Sequence, residues 1–283
     1  VVMPTYPVAP AEKSPIFFRN EAYQGASRHY YPLAMNDQYT HERIQKAWKM
    51  VVLENDYIEL GVSPEIGGKI YYATDKTNGY NFFYKNNVVK PSNIGMTGAW
   101  VSGGVEWSIP HHHRASTYRP SDYTTTVNDD GSKTIWVGEY EPRHGMRWTI
   151  GITMFPGKSY FKTEGRMYNS TPYTHTFLYW ANVAAHTNKN YQTFFPPSAQ
   201  IATFHSKTDF TRWPVSTENF RGSDFTEGVD ISWWKNTKKS NSFFVHDLQE
   251  DFMGGYDHGK NAGTVHVGNH NIVKGAKLSQ WGS

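Results

Sequence analysis

Hydrophobic and polar positions alternate along much of the chain, most clearly over residues 148–154. Trp148, Ile150, Ile152 and Met154 fall on one side and Thr149, Gly151 and Thr153 on the other, the period of two of a half-buried strand. Pro156-Gly157-Lys158 turns this strand into a second over 159–169, and 174–185 follows as a third long run, so a broad antiparallel sheet is expected. Upstream, 49–54 and 57–62 are short β-rich runs separated by Asn55-Asp56, which predicts a hairpin. Residues 66–72 give a further strand, ended by a turn at Asn78-Gly79. Residues 123–127 and 134–140 flank Asn128-Asp129-Asp130-Gly131, a second hairpin signal. Late strands are expected at 242–246 and 263–267. No segment sustains a 3.6-residue apolar period, so helix should be scarce and the fold class is all-β.

Two stretches break the pattern. Residues 1–45 carry Pro4, Pro7, Pro10, Pro15 and Pro32 and read as an extended arm, leaving 46–283 as one large β domain. Residues 188–240 are irregular and are expected to be loops carrying Trp213, Trp233 and Trp234.

The candidate chemistry concentrates in Trp100 to Arg114, which places Glu106, His111, His112, His113 and Arg114 within nine residues. Gly103 and Gly104 permit a bend, and Pro110 ends the strand that Val105 and Trp107 begin. Glu106, flanked in sequence by two apolar residues, is expected to be partly desolvated, with a raised pKa suited to a general acid. The alternative is a solvated histidine loop with a structural carboxylate.

Composition narrows the partners. Aromatic residues make up 16% of the 283 residues, with 19 Tyr, 16 Phe and 10 Trp, against a hydrophobic fraction of only 38%. Aromatic faces beside polar rims suit strands and sugar rings alike. A formal charge of +3 without basic runs argues against nucleic acid. With no cysteine, disulfides, thiolate nucleophiles and Cys-ligated zinc are excluded. No apolar run approaches the roughly 20 residues of a membrane span, and Val1-Val2-Met3-Pro4 is not a signal peptide. The location is periplasmic or extracellular if the protein is exported and cytoplasmic otherwise.

Six motifs occur in order: residues 77–84, Ser102 to Trp107, Pro110 to Arg114, Trp180-Ala181-Asn182-Val183, Gly254-Gly255-Tyr256-Asp257-His258, and Trp281-Gly282. Together they resemble a bacterial domain family of unknown function, often found ahead of tetratricopeptide repeats in carbohydrate-utilisation proteins. The resemblance implies a galactose-mutarotase-like antiparallel β-supersandwich and a sugar ligand. It also implies a histidine from 111–113 facing the sugar, with Asn182 or His186 where epimerases place a second histidine. The family continues past Trp281-Gly282 into a strand bearing a glutamate, so a chain ending at Ser283 is expected to lack C-terminal strands and to be catalytically incomplete.

Three readings of the site follow. The first is a glycoside hydrolase-like enzyme with Glu106 and His113 as catalytic groups and Asp257, Glu139 or Asp122 as the second carboxylate, about 5 Å away for retention and farther for inversion. Arg114 could then clamp hydroxyls or a uronate, or simply pair with Glu106 or Asp122, with His111, Trp180, Asn182, His186, Tyr256 and His258 lining the cleft. The second is a sugar-binding module in which Trp107, Trp180, Trp213 and Trp234 stack on rings; an aldose 1-epimerase-like isomerase is a further alternative. The third is a metal site at the His111-x-His113 spacing, for which the sequence fixes no third ligand, so no cofactor is expected.

Overall fold

The computed structural model describes residues 1–10, 30 and 32–283. Apart from a single 3₁₀ turn at Trp234–Asn236, the regular structure among these residues is antiparallel β-sheet. The chain divides into two compact units, Val1–Ala184 and Ala185–Ser283, and the expected domain span 46–283 runs across both.

In the first unit, Val51–Glu54 and Ile58–Ser63 form the hairpin that Asn55-Asp56 predicts. Its turn is held by the Asn55 side chain, whose Oδ1 accepts the backbone N–H of Tyr57 and of Ile58. Lys69–Asp75, Val105–Ser108 and Trp180–Val183 extend this pair into a five-stranded sheet, in the order Trp180–Val183, Val105–Ser108, Lys69–Asp75, Ile58–Ser63, Val51–Glu54. A second sheet orders Phe161–Asn169, Met146–Met154, Lys133–Glu141 and Asp122–Val127. Ile135, Val137, Trp148, Ile150, Ile152 and Met154 from the second sheet share one buried core with Leu60, Val62, Ile70, Val105 and Trp107 from the first. The alternation read at 148–154 is therefore the division between core and outer face.

The third long run departs from expectation. Only Trp180–Val183 is a strand, and it pairs with Val105–Ser108 instead of continuing beside Phe161–Asn169. Pro172 and the turn at 169–173, where Asn169 and Thr171 bond one another and the Tyr173 carbonyl, end the second sheet and release the chain to the first. The described ends of the N-terminal arm are extended: Val2–Thr5 pairs with Ile44–Ala47, burying Met3 and Thr5. The rest of the arm reading falls largely outside the described residues.

The second unit overturns the loop reading of 188–240. Short strands at Tyr191–Phe194, Ile201–Thr203, Phe210–Arg212 and Val215–Ser216 alternate with tight turns. Phe195, Trp213, Phe220, Phe225, Ile231 and Phe243 form its buried core. Strands of two to four residues are too brief to display a period, which is why the stretch looked irregular. The late strands fall at Asn241–His246 and Ala262–Val267.

Gly104 is where a glycine is required. Its φ is +63°, and a Cβ there would lie 1.9 Å from the Ile70 carbonyl oxygen. This close approach delivers the chain from Gly103 into Val105–Ser108, the strand that carries the candidate site.

Candidate functional site

Val105–Ser108 sits second from the edge of its sheet, and its side chains alternate between faces. Val105 and Trp107 enter the core, so Glu106 points to the opposite face, although all three are buried. Asn182 stands directly across from Glu106 in the strand register, which brings the two side chains to the same face.

Glu106 is only 3% exposed, yet its carboxylate is surrounded by donors. Oε2 accepts from Trp100 Nε1 at 2.8 Å and from Asn182 Nδ2 at 3.0 Å, and Oε1 accepts from Thr117 Oγ1 at 2.6 Å. His113 Nδ1 lies 2.9 Å from Oε2. Burial pushes the Glu106 pKa up, but the hydrogen bond and charge of His113 and the bonds from Thr117 and Trp100 outweigh it and hold the carboxyl at about 2. This corrects the general-acid expectation. The apolar neighbours in sequence occupy the other face of the strand, and the side chain itself meets donors, so Glu106 has no proton to give at neutral pH.

The arrangement engages one ring nitrogen of His113. An ionised carboxylate only accepts, so the proton between the two lies on Nδ1, and Nε2 is left without a partner among the described residues. Trp100 and Trp180 flank the ring, with centroids at 5.4 and 4.8 Å, and the imidazole remains partly accessible. A carboxylate that fixes one ring nitrogen and the ring's orientation leaves the other poised to take or give a proton. Thr117→Val should destabilise the protein by about 1–2 kcal/mol, because Oε1 loses its hydroxyl donor; urea denaturation measures this.

Two more charges lie close by in the core. Lys69, 4% exposed, donates from Nζ to the Val101 carbonyl at 2.9 Å. Burial lowers its pKa to about 8, with Glu106 opposing that fall and Arg114 adding to it. Arg114, expected to clamp a ligand, is 2% exposed and fully engaged. Its guanidinium donates to the carbonyls of Trp107 and Gly67, both at 2.5 Å, and to Ser116 Oγ at 3.0 Å. Nε lies 3.3 Å from Glu139 Oε1, and the group stacks over Trp148 at 4.6 Å. Glu139 is correspondingly taken up by Arg114, Ser116 and Trp148.

The remaining candidates separate. Trp107 is core, with its indole N–H on the Gly68 carbonyl, and presents no open face. Asp122 is exposed on an outer strand of the second sheet. Asp257, His186, Trp213, Trp234, Tyr256 and His258 belong to the second unit. There Asp257 is 2% exposed and holds a turn, accepting from Asn188 Nδ2 and from the backbone N–H of Gly259 and Lys260, so it is an internal anchor and not an open acid. Trp213 is buried against Phe195, which removes it as a stacking platform. Trp234 is half-buried in the 3₁₀ turn, and His186 stands 6.2 Å from the Tyr191 ring. His258 is exposed, stacked on Trp233 at 4.8 Å and edge-on to Tyr256 at 4.9 Å.

Sequence reasoning missed Trp100 and Thr117 as Glu106 partners, and it missed a second imidazole group. His111 packs against His144 at 4.5 Å, and His144 against His175 at 6.3 Å. The Glu141-x-x-His144 spacing was the available signal. Among the described residues no three His, Cys, Asp or Glu side chains are arranged to hold a metal ion, and no helix is long and apolar enough to cross a membrane.

Two solved structures resemble this chain. A TPR-domain containing protein from Parabacteroides distasonis matches with a TM-score of 0.77 at 21% identity, over 100% of this chain and 44% of its own. This chain thus spans less than half of that protein. The Slr1438 protein from Synechocystis matches with a TM-score of 0.52 at 11% identity, covering 75% of this chain and 74% of its own. At such identities the likeness is one of fold alone. Residues 26–283 match the sequence profile described as Domain of unknown function (DUF5107), and the chain belongs to that family.

Proposed function

We propose that this domain acts on a carbohydrate by proton transfer at an oxygen of the anomeric centre, with His113 Nε2 as the group that carries the proton. The observation supporting this is the Glu106–His113 pair between Trp100 and Trp180: an imidazole held through Nδ1, open at Nε2 and walled by two indoles. Aromatic faces favour the apolar faces of sugar rings, and an oriented imidazole is an efficient acid or base. The reading fits the mutarotase-like supersandwich that the sequence motifs imply, and it covers glycosidic cleavage as well as ring opening and closure. With Glu106 ionised, a hydrolase would place the acid on His113 instead of on a pair of carboxyls. A repeat domain elsewhere in the full protein accords with the TPR-containing structural neighbour.

The second reading is a sugar-binding module, favoured by the same two indoles if no chemistry follows binding. One experiment separates them. The protein is incubated with a panel of plant and bacterial glycans and free aldoses, and products and anomeric ratios are followed by NMR. Catalysis is expected, with His113→Asn lowering turnover by about 10²-fold or more while binding persists. Binding without turnover assigns the module, and neither binding nor turnover across the panel overturns the carbohydrate reading.

A further inference from the structure

The loop carrying His113 also carries His111, which faces away toward a cluster the proton-transfer site does not use. His111, His144 and His175 meet edge-on in series, with centroids 4.5 and 6.3 Å apart. His144 is anchored as His113 is, its Nδ1 lying 2.8 Å from Glu141 Oε2. Glu141 is 3% exposed and already saturated. It also accepts the Tyr30 hydroxyl at 2.8 Å and the backbone N–H of Arg143 and His144 at 3.0 and 2.8 Å. Arg143 adds a guanidinium stacked over the Tyr30 ring at 4.7 Å.

The cluster thus holds one anion, spent internally, against three imidazoles and a guanidinium. His111 and His175 make no hydrogen bonds among the described residues, and His144 keeps Nε2 unengaged. Burial lowers the His111 pKa, and His144, Arg143 and His175 lower it further, with Glu141 alone opposing them. Arg143 balances Glu141, and the imidazole nitrogens left unengaged are N–H donors with no acceptor of their own, which suits an incoming oxyanion. A metal ion fits less well, since the imidazoles are not arranged around a common point.

We propose that His111, His144 and His175 recognise a carboxylate carried by the glycan, so that the preferred substrates are uronic-acid-containing sugars. This rests on the carbohydrate reading above and specifies it. Binding a carboxylate favours the charged form of His111, which burial and its neighbours disfavour, so the preference strengthens as pH falls and fades as it rises.

The test uses the whole chain, treated with EDTA, and calorimetry at pH 5.5 and 7.5. The probes are oligogalacturonide, oligoalginate and hyaluronan oligosaccharides, each paired with its carboxyl-reduced neutral counterpart. At least one acidic glycan should bind about tenfold or more tightly than its neutral partner at pH 5.5, with a smaller ratio at pH 7.5. The double variant His111→Gln/His175→Gln should bring that ratio near one. Equal affinities within every pair, or neutral glycans binding while acidic ones do not, overturn the carboxylate site and leave the carbohydrate reading standing. No binding to any glycan overturns both. A preference that appears only on adding zinc assigns the cluster to a metal and also overturns the proposal.

Discussion

Glu106→Gln is expected to destabilise the protein by about 3 kcal/mol at pH 7 and to lower turnover by about 10²-fold. The amide can still accept at one end, but the charge that balances buried Lys69 and draws in four donors is gone. Without that carboxylate the His113 ring loses its fixed orientation and tautomer. The pH dependence separates this role from that of a proton donor. The folded pKa of Glu106 is depressed from 4.5 to about 2, so its stabilisation is fully present above about pH 4.5 and is lost as pH falls toward 2. Denaturation midpoints of wild type and variant should therefore converge between about pH 5 and 2. A gap that stays constant through that range would show that ionisation of Glu106 contributes nothing. Unchanged stability with turnover lost would restore the general-acid assignment.

Arg114→Met should cost about 3–5 kcal/mol, the scale for removing one partner of a buried charged network. Methionine fills the space over Trp148 but leaves the carbonyls of Trp107 and Gly67 and the Ser116 hydroxyl without their donor, and the Glu139 carboxylate without its cation. Lysine should rescue little, because a single ammonium cannot reproduce the planar fork that spans these acceptors. Thermal melts and urea titrations measure both variants. If Arg114→Met folds within about 1 kcal/mol of wild type and loses glycan affinity instead, Arg114 is a ligand group after all.

These two residues also show what the sequence could and could not disclose. The hairpins and the core face of 148–154 were legible because strand alternation and turn chemistry are local properties. The concentration of titratable groups in the Trp100 to Arg114 stretch was legible too. The role of each member was not. Glu106 was judged by Val105 and Trp107, its neighbours along the chain, whereas a strand side chain meets the residues opposite it and those looping over it. Its true surroundings include Asn182, distant in sequence, Trp100 at the end of the preceding strand, and Thr117 in the turn that follows the histidines. Arg114 looked like a clamp because arginines are usually exposed; only the convergence of Gly67 and Trp107 carbonyls reveals a staple. His144 and His175 went unseen because one lies on the turn between two strands of the second sheet and the other on the irregular segment that crosses between sheets.

Trp180–Val183 is the outermost strand of the five-stranded sheet and reaches it after the chain has traversed the whole second sheet. Hairpins such as Val51–Ser63 and Lys133–Met154 close over short separations, whereas this strand docks across more than seventy residues, Asn182 bonding Glu106 at a separation of 76. Closing so long a loop carries the larger entropic cost, so the strand belongs among the later contacts to form. The imidazole can be seated by Glu106 before its second indole wall and its amide partner arrive. Completion of the fold and of the site are therefore coupled: a chain that has built its core but not yet received this edge holds the Glu106–His113 pair without Trp180 and Asn182.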